Sequence, residues 1–235
     1  NTGYVSKLPV KRLGNSEAAT TIATHAVSLA RADWDNFETS WDFRDPPLLR
    51  PGLKGATLEA SWRNWEAHCT AAIHRMQELE TENNRLFITA YGLDGELQPE
   101  VPEAQITLAR AEARRDMADF LSYAVGCLFG RYSLDKPGLI LANQGDTLAD
   151  YLRQVPEPRF RPDADNVIPL LDGDWFPDDV TERFRLFLRV TFGEACYADN
   201  LAFIEAALGK ELRKYFIKDF YNDHVRRYKK RPIYW

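Results

Sequence analysis

The last 26 residues of the chain combine basic and aromatic side chains in a pattern that suits contact with a polyanion. Residues 210–235 carry a net charge of +6 and the rest of the chain −11, for a formal total of −5. A basic strip gains affinity for phosphates through counterion release, without reading bases. A solvated amphipathic helix fits the same pattern equally well. The candidate DNA-contacting residues are Arg131, Lys214, Lys218, Arg226, Arg227, Lys229, Lys230 and Arg231.

A short loop, Asp45-Pro46-Pro47-Leu48, shares three positions with the loops that present an amino group for methylation. In such loops an Asn, Asp or Ser accepts hydrogen bonds from the amino group, and an aromatic ring after the two prolines stacks on the flipped base. Leu48 has no π-face, and no glycine-rich strand-to-helix turn for a nucleotide cofactor precedes the loop. We therefore interpret the loop as a structural turn.

Other reactive residues do not assemble into a site. His68 and His74 are six positions apart and do not share a helix face as the two ligands of a zinc helix would. The tripeptide Asp/Glu-x-Lys of metal-dependent nucleases does not occur, and neither does a phosphate-binding glycine loop. Three cysteines in apolar surroundings, Cys69, Cys127 and Cys196, indicate reduced structural thiols rather than a disulfide framework. We predict no catalytic residue and no metal ligand.

The clearest periodic signal predicts one long helix over residues 57–92, with Thr57 as its N-cap. Seam positions from Leu58 to Ala90, apolar except for Asn83, alternate steps of four and three, which is a heptad pattern over about 33 residues. This seam could pair two chains or pack against helices of the same chain. Trp62 and Trp65 favour the second arrangement, because bulky indoles suit an irregular globular core. Side chains predicted to be buried in this helix are Trp62, Trp65, Met76, Leu79 and Leu86.

The remaining pattern predicts a mainly α protein with at most a few short strands. A helix is expected at about residues 110–130, ending at Gly130, and further helices at 178–231, the last of them over about 210–230. Residues 5–10 and 106–108 could each form a short strand, and residues 143–177 are predicted to be a loop. Residues 33–55 are predicted to form an ordered loop that buries Trp34, Phe37, Trp41 and Phe43. We divide the chain into a connector, 1–56, and a helical scaffold domain, 57–235.

Several stretches together resemble one protein family. The strongest is SYAVGCLFGRYSLDKPG at residues 122–138. The others are VSKLPV (5–10), DWDNFETSWDF (33–43), ENNRLFI with AYGL (82–93), VTFGE (190–194) and the segment from KDF to RPIYW (218–235). In this order they resemble the PglX-like adenine-specific DNA methyltransferases of bacteriophage-exclusion systems and the related fused type II restriction–modification enzymes.

The resemblance implies that this chain is an internal piece of such a methyltransferase, following its catalytic domain. S-adenosylmethionine would then be a cofactor of the parent protein and not of this segment. The expected partners are the rest of the parent, DNA in weak non-specific contact, and other defence-system subunits, in the bacterial cytoplasm and without a membrane. The expected role is a non-catalytic connector and scaffold that positions target recognition. The alternative is a protein-interaction module without DNA contact.

Overall fold

The structure is a computed structural model that describes residues 16–173, 175–231 and 233. Over these residues the chain is mainly α-helical, as predicted, and it forms no β-strand. The predicted strand at residues 5–10 lies outside the described residues. The helices are α1 (Ser16–Trp34), α2 (Leu58–Tyr91), α3 (Ala113–Leu128), α4 (Leu148–Gln154), α5 (Val180–Phe192), α6 (Tyr197–Leu208), α7 (Leu212–Tyr215) and α8 (Tyr221–Arg227).

The predicted long helix is confirmed as α2, an unbroken helix of 34 residues. The Thr57 hydroxyl accepts the N–H of Ala60 at 3.1 Å, as expected of an N-cap. The side-chain oxygen of Asn200 satisfies a second free donor, the N–H of Leu58, at 2.7 Å. The seam residues Leu58, Trp65, Cys69, Met76 and Leu79 are buried within the single chain.

Two seam residues are less buried than predicted. Trp62 and Leu86 are both half-buried. The half-buried position of Trp62 has a polar cause, because its indole N–H donates to the Asp116 carboxylate at 3.0 Å. Heptad spacing identifies the side of the helix that faces other parts of the chain, but it does not give the depth at each position.

The chain forms two compact units, and α2 runs from one into the other. The first unit comprises residues 16–33 with His68–Arg110. Its core joins Ile73 and Met76 of α2 to Val101, Ile106 and Leu108. Residues 106–108, considered as a strand, do not form one, and Ile106 and Leu108 are buried in this helical core. The Ile106 and Leu108 carbonyls accept hydrogen bonds from the Arg110 side chain, at 3.0 and 3.4 Å, instead of from a neighbouring strand.

The second unit is built around α3 and comprises Trp34–Ala67 and the described residues from Ala111 onward. Twelve of the sixteen α3 residues are buried, which is more than the single apolar face that the sequence indicated. Phe120 of α3 packs at 5.8 Å from Phe187 and 6.2 Å from Phe184 of α5, as measured between ring centroids. Such tilted and edge-on ring pairs add stability beyond the apolar area that they bury.

Two other predictions for the second unit need correction. Residues 143–177 were predicted to be a loop but contain α4, which begins with a capping box between Thr147 and Asp150. The single helix predicted over 210–230 is three consecutive segments, α7, a π-helical stretch at Phe216–Phe220, and α8. Tyr215, at the end of α7, and Phe216 and Phe220, in the π-helical stretch, are all buried.

No helix in the described part of the chain is long and apolar enough to cross a membrane. The division of the sequence at residue 57 into connector and scaffold stays a prediction.

Candidate nucleic-acid interface

A cleft in the second unit brings exposed aromatic and basic side chains together. Its volume is about 700 Å³, within the range of roughly 300–1,000 Å³ that is usual for ligand pockets. We call it the cationic cleft. Its lining residues are Trp34, Glu38, Thr39, Ser40, Trp41, Phe43, Arg131, Tyr132, Leu139, Arg227, Tyr228, Lys229 and Arg231.

One wall is the loop that follows α1. Its turn is closed by the Ser40 hydroxyl, which donates to the Asp35 carboxylate and accepts the N–H of Asp42 at 3.2 Å. Phe43 is buried, with its ring centroid 5.5 Å from that of Tyr132 in an edge-on contact. These contacts order the loop, as predicted, and the loop carries Trp41.

The prediction that this loop buries all four of its aromatic rings is wrong for the two tryptophans. Trp41 is fully exposed and Trp34 is 61% exposed, whereas Phe43 is buried and Phe37 half-buried. Trp34 is the last residue of α1, a helix without any buried residue. Composition predicted burial because tryptophan is usually largely buried. The flanking residues do not separate the two cases, because Asp42 is the neighbour of both exposed Trp41 and buried Phe43.

The second wall is the turn that ends α3. Gly130 has a φ of +71°, as its predicted role at the helix C-terminus requires, and Arg131 donates its backbone N–H to the Gly126 carbonyl at 2.8 Å. The Arg131 Nε donates to the Tyr132 hydroxyl at 3.3 Å. The Arg131 carbonyl accepts the N–H of Ile140 at 2.8 Å, which ties the turn to the segment that contains Leu139.

The third wall is the end of α8. Lys230 donates its backbone N–H to the Val225 carbonyl at 2.7 Å, and Lys229 and Lys230 adopt left-handed φ values of 51° and 66°. Two consecutive non-glycine residues in this region are uncommon, because Cβ crowds the backbone there. The chain reverses at this point and presents exposed Lys229 and Arg231 to the cationic cleft.

His224 lies behind this wall and binds the backbone of Ile233. Burial, together with the charges of Arg227 and Arg131, lowers the pKa of His224 to about 4. The ring is therefore neutral at physiological pH, and its Nε2 accepts the backbone N–H of Ile233 at 2.9 Å. The imidazole lies between Phe220 and Tyr228, at 5.8 and 4.9 Å between ring centroids. This histidine has a structural role in positioning the residues after α8.

The predicted DNA-contacting residues divide into two groups. Arg131, Arg227, Lys229 and Arg231 line the cationic cleft, whereas Lys214, Lys218, Arg226 and Lys230 do not. Arg227 is mainly buried and forms an ion pair with Asp119 of α3, so its charge is already balanced. Lys214 is exposed and pairs with Glu211 at 3.0 Å. Among the described residues, no carboxylate pairs with Lys229 or Arg231.

One carboxylate, that of Glu38, lies among the described residues that line the cationic cleft. Both of its oxygens are shielded from solvent. Burial raises the pKa of Glu38, while the Arg227 charge and the hydroxyls of Ser122 and Tyr228 oppose this shift. The accessible charge in the cleft is therefore positive.

A second cleft of about 540 Å³ lies between the Asp45-Pro46-Pro47-Leu48 turn and α3. Its charges are mixed, with Glu112, Asp116 and Asp223 beside Arg114 and Arg226. Such a balanced lining gives no net attraction for a phosphate backbone. In the turn itself, the Asp45 carboxylate is 2.8 Å from Arg50 Nε and Leu48 is buried. These contacts give the turn a packing role.

A metal site or a nucleotide-cofactor site would need suitable groups among the described residues. These residues contain no group of three His, Cys, Asp or Glu side chains close enough to hold a metal ion. They also contain no strand, and therefore no strand-to-helix turn of the kind that holds a nucleotide cofactor.

Comparison with known proteins confirms the family resemblance. No family model matches the chain. An alignment of 246 positions covers 99% of the chain and shows 38% identity to the adenine-specific methyltransferase PglX of Lacticaseibacillus casei (strain Zhang). The chain is 32% identical over its full length to the adenine-specific methyltransferase BrxX of Escherichia coli O9:H4 (strain HS). The chain spans about a fifth of the length of each relative, 20% and 21% respectively.

Proposed function

We propose that this chain is a non-catalytic helical connector and scaffold within an adenine-specific DNA methyltransferase of a phage-defence or restriction–modification system. In this proposal it holds target recognition in place relative to the catalytic part and contacts the DNA backbone through the cationic cleft. The rest of the parent enzyme, which would bind S-adenosylmethionine, is its principal partner. The two relatives support the parent activity, since both are named adenine-specific methyltransferases.

The observation that supports DNA contact is the convergence of Arg131, Lys229 and Arg231 on one cleft. These residues come from two stretches, 122–138 and 218–235, that are far apart in the sequence. The one carboxylate of the described lining is shielded, so it does not repel a phosphate at the surface. Exposed Lys229 and Arg231, together with half-buried Arg131, give weak, salt-dependent affinity without base recognition, with Kd of roughly 10⁻⁴–10⁻⁶ M at physiological salt.

The test is a duplex-binding titration over a series of salt concentrations. Each neutralised phosphate contributes about −0.9 to the slope of log K against log salt. Charge reversal at Lys229 and Arg231 should therefore weaken binding and make the slope shallower by about two. The matched control reverses Lys214 and Lys218, which are also exposed but lie outside the cationic cleft. Equal weakening by both pairs would contradict the cleft as the contact site.

A protein-interaction module is the second candidate, and one surface segment favours it. Val167, Leu171, Trp175 and Phe176 are all exposed, with Trp175 at 73% and Val167 at 67%. Several large apolar side chains exposed close together in sequence often mark a protein contact. If the chain binds neither duplex nor single-stranded DNA even at low salt, this candidate replaces DNA contact as the role of the segment.

A further inference from the structure

We infer that the cationic cleft accepts unpaired nucleotides of a DNA strand, with Trp34 and Trp41 stacking on their bases. This inference rests on the proposed DNA contact and specifies the form of DNA that the cleft prefers. It requires exposed ring faces, neighbouring cations and room for a base, and the cationic cleft supplies all three.

The ring faces are accessible, unlike those of most aromatic side chains in the second unit. Trp41 is fully exposed and Trp34 is 61% exposed, whereas Phe120, Phe184 and Tyr215 are each 1% exposed or less. Tryptophan gains much stability from burial because its ring is large. Two exposed indoles, one at the end of α1 and one in the loop that follows it, line one cleft and are therefore available to a ligand. A single exposed tryptophan would not by itself indicate a ligand-binding surface.

The charge next to the indoles selects an anionic ligand. Arg131, Lys229 and Arg231 line the same cleft as both tryptophans. Cations that track a phosphate backbone, with aromatic rings beside them for the bases, are the general means by which proteins hold single strands. The volume of about 700 Å³ is sufficient for a small ligand such as an exposed nucleotide.

Whether the indoles contribute to DNA binding depends on whether the bases are paired. In a duplex the faces of each base are covered by its neighbours in the stack, so that an indole beside the duplex has no base face to contact. Only the cations would then bind. An unpaired base exposes its face, and stacking tolerates any sequence because every base has a π-face. The cleft should therefore prefer unpaired strands without preferring a sequence.

The experiment compares three fluorescein-labelled DNA probes of equal length in binding to the 235-residue chain. They are an oligothymidylate single strand, an abasic single strand that keeps the phosphates but lacks bases, and a duplex. The oligothymidylate should bind roughly tenfold more tightly than the abasic strand, since stacking contributes a factor of this order per base. It should also bind more tightly than the duplex at equal salt.

Trp41→Ala should reduce oligothymidylate binding roughly tenfold, towards the affinity of the abasic strand, and leave abasic and duplex binding unchanged. The fold should survive, because a fully exposed side chain contributes little to the core. Trp175→Ala is the matched control, since Trp175 is also exposed but lies outside the cationic cleft. Its effect on all three probes should be negligible.

The failures of the inference and of the proposed function are distinguishable. Equal affinity for the oligothymidylate and abasic strands, or unchanged binding by Trp41→Ala, overturns base stacking and leaves the DNA-backbone contact standing. Absence of binding to all three probes at low salt overturns both. Displacement of bound oligothymidylate by an acidic oligopeptide at comparable concentration would show that the cleft takes acidic protein segments, and would also overturn the inference.

Discussion

At the scale of single residues, Arg226 and Arg227 are neighbours in sequence with different environments. Arg226 is exposed, and no carboxylate of the described residues pairs with it. The side chain of Arg227 is 13% exposed and pairs with Asp119, which is 32% exposed. Sequence reasoning treated both as solvent-facing candidates for DNA contact. Composition cannot distinguish them, because the partner of Arg227 lies on α3, more than a hundred residues away.

We therefore predict that Arg227→Gln destabilises the protein and that Arg226→Gln does not. Removing one partner of a buried ion pair costs about 3–5 kcal/mol, and the partial exposure of Asp119 places this pair at the lower end. Exposed charges contribute little, so Arg226→Gln should change the free energy of unfolding by less than about 0.5 kcal/mol. Urea denaturation of both variants measures the difference. Equal stability of the two variants would contradict the buried ion pair.

At the scale of elements, the sequence predicted regular helices well and exposed loops poorly. Helix α2 follows from a spacing of apolar residues that repeats over nine turns, and such periodicity depends only on the local chain. The loop after α1 has no period. Whether Trp41 is buried depends on which surfaces the folded chain brings next to it, and no local pattern contains that information. The π stretch was missed as well, because π-helical turns are rare insertions in α-helices and no period in the sequence marks this one.

The turn after α3 provides a prediction at this scale. Gly130 and Gly92 both have a φ of +71° after the end of a helix, but only Gly130 is closely surrounded. A Cβ at Gly130 would approach the side chains of Leu141 at 3.0 Å and of Pro162 and Tyr151 at 3.3 Å, whereas nothing lies within 4 Å at Gly92. Alanine at Gly92 should cost about 1–2 kcal/mol for the left-handed backbone.

Alanine at Gly130 should cost more than alanine at Gly92, because the neighbouring side chains must also move. Thermal and urea unfolding measure the stability of both variants. The two share the backbone strain, and only Gly130→Ala adds crowding. If Gly130→Ala is no more destabilised than Gly92→Ala, the turn is loosely packed and cannot hold Arg131 in a defined position in the cationic cleft.

At the scale of the whole molecule, the cationic cleft could be predicted only in part. The basic residues near the end of the chain were identified from charge, and the stretches at residues 33–43, 122–138 and 218–235 were identified from family resemblance. Their convergence was not predictable, because the contacts that bring them together connect residues far apart in the chain. Phe43 against Tyr132 is one example, at 5.5 Å between ring centroids. The tertiary structure thus joins separate sequence signals into one surface.

Cofactor binding is also a property of the whole molecule. A methyltransferase must hold S-adenosylmethionine, and nucleotide cofactors of this kind bind at the carboxyl ends of strands, where a glycine-rich turn leads into a helix. The described residues form helices and loops without a strand, and the Asp45-Pro46-Pro47-Leu48 turn has a buried leucine where a ring should stack on the base. The 235-residue chain should therefore show no saturable binding of S-adenosylmethionine in isothermal titration calorimetry. The full-length methyltransferase of the proposed function should bind it. Micromolar binding by the chain itself would place cofactor chemistry in this segment and overturn its assignment as a connector and scaffold.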